Sequence, residues 1–329
     1  MPRDRFGRTI DYLRMSLIDH CNLRCVYCMP LSGLHFARSD ELLSAAELER
    51  VARAALDVGF RKIRLTGGEP TLRSDLLDIV ERLGRLPGLH DLAMTTNGIL
   101  LPRLVEDLVR AGLKRVNIHI DTLHPGRLQR LMRFGTVQEI WAGIEAAEAA
   151  GLRPVKLNVV VTRGYNDEDV ADMARLTLTR GWHVRFIELM PLGGGECARL
   201  AVSQYVSNEE TRRRIEEALG PMALLPDQHP ADESQNFRLS GAPGVIGLIS
   251  PVSRPYCGNC NRMRLTADGK FHLCLLNDDE IDLRRSMREG ADDGVIRHLL
   301  LRAVGAKPTG HHLDQGISTE DRNMYQLGG

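Results

Sequence analysis

Six strand-like segments alternate with amphipathic helical segments from residue 12 to about residue 190, and this alternation constrains the fold more than any other feature. The strand-like segments are Tyr12–Ile18, Lys62–Thr66, Asp91–Thr95, Arg115–Ile120, Val155–Val161 and Val184–Leu189. Repeated βα units imply parallel strands with right-handed crossovers. Periodicity alone permits either a doubly wound open sheet or a barrel. In a parallel barrel, the active site forms at the carboxyl ends of the strands.

Helix boundaries between these segments carry recognisable capping signals. The first helix is expected over about residues 45–58, because Ser44 and Glu47 form a capping-box pattern and Gly59 follows the end of the helix. Asn166 is predicted to be the N-cap of the last helix in this region. These signals agree with the alternation and favour regular βα units.

The alternation ends near residue 193, and the rest of the chain is predicted to be a C-terminal α+β extension. Its expected helices and strands are Asn208–Leu219, Asp279–Val304, Val245–Ile249, Met263–Thr266 and Phe271–Leu275. Residues 306–329 are polar and glycine-rich and are interpreted as a flexible tail that ends in Gly328 and Gly329. The predicted domains are therefore 1–192, 193–305 and the tail.

Three cysteines lie in the loop after the first strand-like segment, in the sequence Cys21-Asn-Leu-Arg-Cys25-Val-Tyr-Cys28. A structural zinc ion takes four protein ligands in a closed tetrahedron. Three thiolates in one loop suit a cubane iron–sulfur cluster better, because one iron then remains free of a protein ligand. An open metal position can bind and activate a small molecule. The alternative is a zinc knuckle that is completed by a distant ligand.

A second set of three cysteines lies in the extension, with the spacing C-x2-C-x13-C formed by Cys257, Cys260 and Cys274. Clustered cysteines in a reducing compartment are more often metal ligands than disulfide partners. A second cubane with an open iron is the favoured interpretation. A zinc ribbon is the alternative, with His272 as a further ligand. The seventh cysteine, Cys197, is interpreted as a small packing residue.

The sequence Gly67-Gly-Glu-Pro70 follows the second strand-like segment directly. Two glycines let a ligand approach the backbone, and exposed amides together with the carboxylate of Glu69 can hold an ammonium group. Its position at a strand end, after the cysteine loop, places the motif on the expected active-site face.

Basic residues interrupt three of the apolar strand-like segments, at Arg14, Arg64 and Lys156, and Arg262 and Arg264 follow the second cysteine pair. The interior of an ordinary barrel is filled by branched apolar side chains. Any one of these basic side chains, taken alone, is explained equally well by a position on the outward face of its strand. Together they predict a lumen that binds a polyanion, because arginine forks match phosphate oxygens.

Composition excludes several other classes of protein. The chain has 43 basic and 43 acidic residues, so no global field attracts nucleic acid or an anionic membrane. The N-terminal sequence lacks the apolar segment of a secretory signal, and no apolar run has the length of a transmembrane helix. We therefore expect a cytoplasmic protein that binds neither nucleic acid nor membrane.

The cysteine loop and the Gly-Gly-Glu-Pro sequence resemble the signature of the radical S-adenosylmethionine (SAM) enzymes. This resemblance implies a partial (β/α)6 TIM-like barrel, with a C-terminal extension over its open side. It also implies that the open iron binds SAM and that one electron cleaves SAM to a hydrogen-abstracting radical. Within the superfamily, the chain most resembles the GTP 3′,8-cyclases of molybdenum cofactor biosynthesis, over its whole length. The motifs that carry this likeness are Phe6-Gly-Arg8, Tyr12-Leu-Arg14, Cys28-Met-Pro30, Ile63–Pro70, Thr95-Thr-Asn-Gly98, Glu188-Leu-Met-Pro191, Cys257–Arg264 and the terminal Gly328-Gly329.

The resemblance assigns roles to individual residues. It implies two [4Fe-4S] clusters, one held by Cys21, Cys25 and Cys28 and the other by Cys257, Cys260 and Cys274. It implies SAM contacts from Tyr27, Gly68 and Met190, and GTP contacts from Arg14, Arg64, Thr95, Lys156, Arg262, Met263 and Arg264. Where the family usually has a serine that contacts SAM, this chain has His119, which either replaces that contact or is accommodated in the core. The Gly328-Gly329 end is expected to reach into the barrel and support catalysis.

The implied reaction joins the ribose 3′ carbon of GTP to C8 of guanine. The implied partners are an electron donor such as flavodoxin or ferredoxin, and a downstream cyclic pyranopterin monophosphate synthase. A monomer and a homodimer both remain open. Two alternatives also stay open from the residues alone, namely another radical SAM enzyme with an auxiliary cluster, of the peptide-maturing type, and a non-enzymatic zinc-binding module.

Overall fold

The structure, a computed structural model, describes residues 1–226, 231–313 and 319–328. Its strands are β1 (Tyr12–Ser16), β2 (Lys62–Thr66), β3 (Asp91–Thr96), β4 (Arg115–His119), β5 (Lys156–Val161), β6 (His183–Glu188), β7 (Met222–Leu224), β8 (Ser234–Leu239), β9 (Val245–Ile249), β10 (Arg262–Leu265), β11 (Lys270–His272) and β12 (Glu280–Asp282). Its helices are α1 (Ala45–Val58), α2 (Leu76–Gly84), α3 (Leu101–Arg110), α4 (Pro125–Met132), α5 (Val137–Ala149), α6 (Val170–Arg175), α7 (Gly195–Ser203), α8 (Asn208–Leu219), α9 (Leu283–Arg288), α10 (Asp293–Ala306) and α11 (Met324–Leu327). Short 3₁₀ turns lie at Pro70–Leu72, Leu176–Leu178 and Cys257–Asn259.

The first six strands lie side by side in chain order, and every neighbouring pair is parallel. Apolar side chains of this sheet pack against the surrounding helices in one continuous core. In the part of the chain that the structure describes, the strand order starts at β12 and finishes at β7, so the sheet does not close on itself. This architecture confirms the predicted partial (β/α)6 barrel with a C-terminal extension.

The extension continues the sheet at both of its edges. β10 pairs parallel with β1, and β11 and β12 follow it in antiparallel register. On the other side β9 pairs parallel with β6, and β8 and β7 continue the sheet antiparallel. Because β10 lies beside β1, the second cysteine set comes to the same edge as the first cysteine loop.

The single helix predicted for Asp279–Val304 is wrong. Residues 280–282 instead form β12, which pairs with β11. The Asp282 side chain then accepts a hydrogen bond from the Arg285 backbone N–H and caps α9, and Asp292 caps α10 in the same way. The sequence pattern missed this division because the edge strand is only three residues long.

The predicted N-cap at Asn166 is also wrong. Asp169 precedes α6, and Asn166 lies in the preceding turn. The Asn166 side-chain amide donates to the carbonyl oxygens of Asp121 and Val160, at 2.8 and 3.0 Å. It therefore joins the end of β4 to β5 instead of starting a helix.

Residues 319–328, the described C-terminal part of the predicted tail, lie against the barrel. α11 buries the side chains of Tyr325 and Leu327. Gly329 lies outside the described residues, and the domain boundaries remain predictions. None of the described helices combines the length and the apolar character that crossing a bilayer would require.

Candidate active site

A single cavity at the carboxyl ends of the strands is lined by both cysteine sets. The predicted site residues on its wall are Arg14, Cys21, Cys25, Tyr27, Cys28, Gly68, Thr95, His119, Met190, Cys257, Cys260, Arg262, Met263, Arg264 and Cys274. Arg64 and Lys156 are not on this wall. The fold therefore brings most of the predicted residues into one chamber, although they come from distant parts of the sequence.

The first cysteine loop is held in shape by its neighbours on the barrel. The Val26 backbone N–H donates to the carbonyl oxygen of Leu131 in α4, at 2.9 Å. The Arg133 guanidinium donates to the carbonyl oxygens of Arg24 and Met29, at 3.1 and 2.6 Å. These bonds stabilise a loop in which Arg24 has a positive φ of 59°. The loop is thus ordered by backbone contacts that do not use the sulfur atoms.

Two thiols of this loop, those of Cys21 and Cys28, have raised pKa values. Burial, together with the neighbouring Cys25 and Glu69, raises the pKa of the Cys21 thiol to about 12. Burial also raises the pKa of Cys28, with Cys25 and Cys21 contributing. Thiolates crowded in this way are stabilised by bound cations, since metal binding deprotonates cysteine.

Sulfur spacing distinguishes an iron–sulfur cluster from a single metal ion. Four thiolates on one zinc ion lie about 3.8 Å apart, as follows from the length of the zinc–sulfur bond. Among the described residues, neither set of three sulfurs belongs to a group of ligand atoms that all lie within 4.8 Å of one another. The wider spacing suits a cubane, in which each cysteine binds a different iron.

The Gly67–Pro70 sequence has a structural role that differs from the expected one. The backbone N–H groups of Gly68 and Glu69 donate to the carbonyl oxygens of Ile18 and His20, at 2.6 and 2.7 Å. A Cβ on Gly68 would collide with the His20 carbonyl oxygen, so glycine is needed for this close approach. The two amides are therefore engaged in fastening the end of β2 to the entrance of the cysteine loop.

Glu69 is buried and its carboxylate is fully hydrogen-bonded. It accepts from the Thr71 backbone and hydroxyl, at 3.0 and 2.6 Å, and from the Thr96 hydroxyl and the Asn97 backbone, both at 2.7 Å. The Asn97 side chain continues the connection to Asn22 in the cysteine loop, at 2.7 Å. Glu69 thereby joins β2, β3 and the loop.

His119 ends β4 beside the first cysteine set. Its Nε2 lies 2.8 Å from the Tyr27 hydroxyl, 3.2 Å from an Asp121 carboxylate oxygen and 3.9 Å from the Cys25 sulfur. Burial lowers the pKa of His119, but Asp121 outweighs burial and the pKa is raised well above its ordinary value. The histidine thus belongs to a buried polar network at the cysteine loop, in addition to lining the cavity.

Met190 follows β6 on the cavity wall, and a buried carboxylate fixes its segment. Glu188 accepts hydrogen bonds from the backbone N–H groups of Asn208, Val252 and Ser253, at 2.9, 3.0 and 2.9 Å. These bonds tie the end of β6 to the turn after β9. They explain why an acidic residue lies two positions before Met190.

The second cysteine set is held by two buried cations that come from opposite ends of the chain. Arg8 donates to the carbonyl oxygens of Cys257, Thr309 and Pro308, at 2.8, 2.8 and 2.6 Å, and pairs with Asp4 at 2.5 Å. The Lys307 ammonium donates to the carbonyl oxygens of Arg262 and Leu273, both at 2.8 Å. Lys307 was not among the predicted site residues, because it fell within the predicted tail.

Electrostatics differ between the two cysteine sets. Burial opposes ionisation of Cys260, but the charges of Lys307 and Arg262 outweigh it and lower the pKa of this thiol to about 7. His272, the candidate zinc ligand, is not on the cavity wall, and burial together with the charge of Arg264 lowers its pKa to about 4. Because His272 does not line the cavity with the three cysteines, the site favours a thiolate cluster over a zinc ion that is completed by this histidine.

The predicted basic residues form one cluster next to the second cysteine set. Arg14, Arg262 and Arg264 are buried on neighbouring strands, because β10 lies beside β1. Arg64 bonds to the hydroxyl groups of Tyr12 and Thr95, the latter at 3.4 Å. Among the described residues, Arg14 Nε and Arg262 Nη2 find no hydrogen-bond partner, although both atoms are buried. Unpaired buried donors of this kind are suited to binding an anion.

Two charged residues of this cluster were missed by the sequence analysis. Arg185 in β6 is buried and donates to the Asn158 side-chain oxygen, at 2.6 and 3.0 Å. It lies between Val184 and Phe186, the same alternation that identified Arg14, and could have been found in that way. Glu233 bonds to Arg14 and Arg262, and no sequence pattern indicates that an acidic residue enters this cluster.

The C-terminal segment reaches the same region. Arg264 Nη1 donates a hydrogen bond to the Gly328 carbonyl oxygen. A Cβ on Gly328 would lie 2.5 Å from the Ser16 hydroxyl oxygen and even closer to the Thr66 methyl group. The chain end therefore occupies a position between β1 and β2 where only glycine fits.

Known families match the two halves of the chain. Residues 15–177 match the radical SAM superfamily, and residues 182–313 match the family described as Molybdenum Cofactor Synthesis C. A GTP 3′,8-cyclase of Heliobacterium modesticaldum is 47% identical over 327 residues, which cover 99% of each chain. The corresponding enzyme of Moorella thermoacetica is 45% identical and covers 99% of this chain and 100% of the relative. The chain belongs to the GTP 3′,8-cyclase family.

Solved structures support the fold of this cyclase family member. Streptococcus suis SuiB bound to S-adenosylmethionine aligns with a TM-score of 0.59 at 15% identity, covering 88% of this chain and 68% of SuiB. The hydrogenase maturase HydG of Carboxydothermus hydrogenoformans aligns with a TM-score of 0.52 at 14% identity, covering 86% and 66%. At these identities the likeness shows the shared barrel fold alone. Membership of the GTP 3′,8-cyclase family favours a cyclase over the two alternatives, a zinc-binding module and another radical SAM enzyme.

Proposed function

We propose that this protein cyclises GTP to 3′,8-cyclo-7,8-dihydroguanosine 5′-triphosphate, the first step of molybdenum cofactor biosynthesis. The observation that carries the proposal is that two sets of three free cysteines line one cavity, with buried arginines on the wall beside them. Sequence identity to enzymes named GTP 3′,8-cyclase over nearly the whole chain supports the choice of substrate.

The proposed cofactors are two [4Fe-4S] clusters and SAM. Cys21, Cys25 and Cys28 would hold one cluster, and Cys257, Cys260 and Cys274 the other. When bound, the first cluster and SAM supply the hydrogen-atom abstraction that begins the reaction. The proposed SAM contacts are Tyr27, Gly68, His119 and Met190. Because the backbone N–H of Gly68 is already engaged, any contact at this position uses its carbonyl oxygen or Cα.

The proposed role of the protein residues is to bind and orient GTP between the two cysteine sets. Arg14, Arg262 and Arg264 offer buried donors on the cavity wall, which Thr95 and Met263 also line, and Arg64 and Lys156, which are not on that wall, complete the proposed contacts. Holding the ribose 3′ carbon close to guanine C8 lowers the entropic barrier to ring closure. The C-terminal segment that ends in Gly328 and Gly329 is proposed to reach into the barrel and to help form the competent substrate complex.

The physiological setting is also a proposal. Clusters with an open iron require reduced thiols, and all seven cysteines are free in this structure, so we place the protein in the cytoplasm. Flavodoxin or ferredoxin would supply the electrons. A separate cyclic pyranopterin monophosphate synthase would consume the product.

Anaerobic product analysis with SAM, a strong reductant and GTP tests the proposal. Reconstituted protein should contain about eight irons per chain, as two cubanes require, and should form the cyclised nucleotide. Cys25→Ala should abolish SAM cleavage. Cys274→Ala should retain some SAM cleavage but lose GTP cyclisation, and Cys197→Ala should behave as the unmodified control. Normal cyclisation by Cys274→Ala would exclude the second set from the substrate site.

A further inference from the structure

A carboxylate lies among the arginines that the proposed substrate needs. Glu233 Oε2 is 2.7 Å from Arg14 Nη2 and 2.7 Å from Arg262 Nη1. Glu233 Oε1 is 3.6 Å from Arg185 Nη1. The residue directly precedes β8, lines the cavity and has 18% of its side chain exposed. One acidic side chain thus contacts arginines from β1, β6 and β10 at once.

This carboxylate is ionised and well paired. Burial opposes its ionisation, but the charges of Arg14, Arg262 and Arg185 outweigh burial and hold the pKa of Glu233 far below its usual range. Carboxylate and phosphate oxygens bind guanidinium groups with the same geometry. A phosphate group that approaches Arg14 and Arg262 must therefore compete with Glu233 for the same N–H donors.

We propose that Glu233 is an internal competitor for the phosphate groups of the substrate and selects ligands by their anionic charge. The inference rests on the proposed function and concerns the same site. A triphosphate carries enough oxygens to replace both contacts of Glu233 and also to reach Arg14 Nε and Arg262 Nη2, which have no partner in the part of the chain that the structure describes. A neutral nucleoside carries no anionic group that could displace Glu233 from the arginines. A small anion gains less than the two charge-assisted bonds it would break.

A different role would be direct recognition of the guanine base, whose ring N–H and amino groups are hydrogen-bond donors. The contacts favour competition, because Oε2 already accepts from two guanidinium groups and Oε1 faces a third. Base recognition predicts the opposite effect of removing the charge, so one variant distinguishes the two roles.

The test uses the full-length protein with both clusters reconstituted, under anaerobic conditions and without reductant. Calorimetry measures the binding of inorganic tripolyphosphate, GTP and guanosine to the unmodified protein and to Glu233→Gln. We expect Glu233→Gln to bind tripolyphosphate and GTP at least about tenfold more tightly, because the competing anion is lost while the shape is kept. Guanosine binding should not change.

The matched control is Glu217→Gln, which removes the same charge from an exposed glutamate of α8. It should leave all three affinities close to those of the unmodified protein. If Glu233→Gln fails to retain its clusters, Glu233→Asp replaces it in the test. The shorter side chain cannot bring its carboxylate into contact with both arginines. The tripolyphosphate affinity should therefore rise, but by a smaller factor.

Unchanged or weaker tripolyphosphate binding by Glu233→Gln would overturn the inference. Weaker binding of both GTP and guanosine, with tripolyphosphate unaffected, would assign Glu233 to the base and overturn it equally. Failure of the unmodified protein to bind GTP would count against the proposed function alone, because the tripolyphosphate comparison would still test Glu233.

Discussion

Lys156 starts β5 at the edge of the basic cluster and is the residue there whose charge changes most easily. Burial, together with the charges of Arg185, Arg115 and Arg64, lowers the pKa of its ammonium group to about 8, against an opposing effect of Asp232. Near pH 8 a large fraction of the free protein therefore has a neutral lysine at this position.

We predict that GTP binding takes up a proton at Lys156. Phosphate charge favours the ammonium form, so the pKa of Lys156 rises in the complex and GTP affinity falls as the pH increases above about 8. Calorimetry in two buffers with different ionisation enthalpies measures the proton uptake directly. Lys156→Met should abolish the uptake, whereas Lys114→Met, which changes an exposed lysine, should not. A GTP affinity that stays constant on both sides of pH 8 would contradict this prediction.

At the level of single residues, the sequence predicts positions in strands better than it predicts their partners. Alternation with apolar neighbours identified Arg14, Arg64 and Lys156, and the same rule applies to Arg185. It could not identify Glu233, because the contact with Arg14 depends on β8 joining the far edge of the sheet. Long-range placement of this kind leaves no local signal.

At the level of elements, the loop of the second cysteine set depends on the N-terminal segment. Arg8 is the shared donor to three carbonyl groups, at Cys257, Pro308 and Thr309, and it neutralises the buried Asp4. In the sequence alone, Phe6-Gly-Arg8 is only one of the motifs that the chain shares with its family. The structure gives it a physical role, which is to fasten the second cysteine loop, at Cys257, to the segment that follows α10.

We predict that Arg8→Met loosens the second cysteine loop selectively. The change keeps the aliphatic length but leaves the buried Asp4 without its guanidinium partner and takes one donor from each of three carbonyl groups. Breaking a buried pair in this way costs about 3 kcal/mol in free energy of unfolding. Iron and sulfide should fall toward about four atoms of each per chain, since only one cubane remains. Chemical denaturation and metal analysis measure these effects.

The control for Arg8→Met is Arg5→Met, which changes an exposed arginine in the same segment. It should keep both clusters and the stability of the unmodified protein. A full iron content in Arg8→Met would show that the loop does not need this fastening.

Strand boundaries within the barrel were predicted almost to the residue, since apolar runs bounded by turns are a local signal. β2 and β9 match their predicted ranges, and α8 does as well. The strands β7, β8 and β12 were missed. β7 and β12 have three residues each, and such segments become strands only by pairing with a neighbour that lies outside any local window. β8 has six residues, but only Phe237 and Leu239 among them are apolar, so its local signal is weak.

At the level of the whole molecule, the site is assembled by contacts between the two ends of the chain. Pairing of β1 with β10 brings the cysteine sets together, and the described end of the tail then reaches Arg264 between β1 and β2. Arg322 fastens the tail on its way. Its guanidinium lies 3.0 Å from Asp268 and 2.8 Å from Glu280, and only 14% of its side chain is exposed.

The end of the tail depends on a glycine at position 328. Gly328→Ala should prevent the chain end from entering its position, because a Cβ there would lie 2.5 Å from the Ser16 hydroxyl oxygen. Deleting Gly328 and Gly329, or adding residues after them, should act in the same direction. We expect each change to abolish product formation while the iron content, SAM binding and thermal stability remain, since Tyr325 and Leu327 still anchor α11.

Gly126→Ala in α4 is the matched control for Gly328→Ala, because a Cβ at that glycine would meet no atom of the described residues within 4 Å. It should leave turnover unchanged. Anaerobic single-turnover assays with GTP, followed by product analysis, compare the variants directly. If Gly328→Ala and the two-residue deletion both turned over GTP at the rate of the unmodified protein, the contact between Arg264 and Gly328 would have no part in catalysis. Loss of the clusters in these variants would instead show that the tail is needed to hold the clusters and not for catalysis alone.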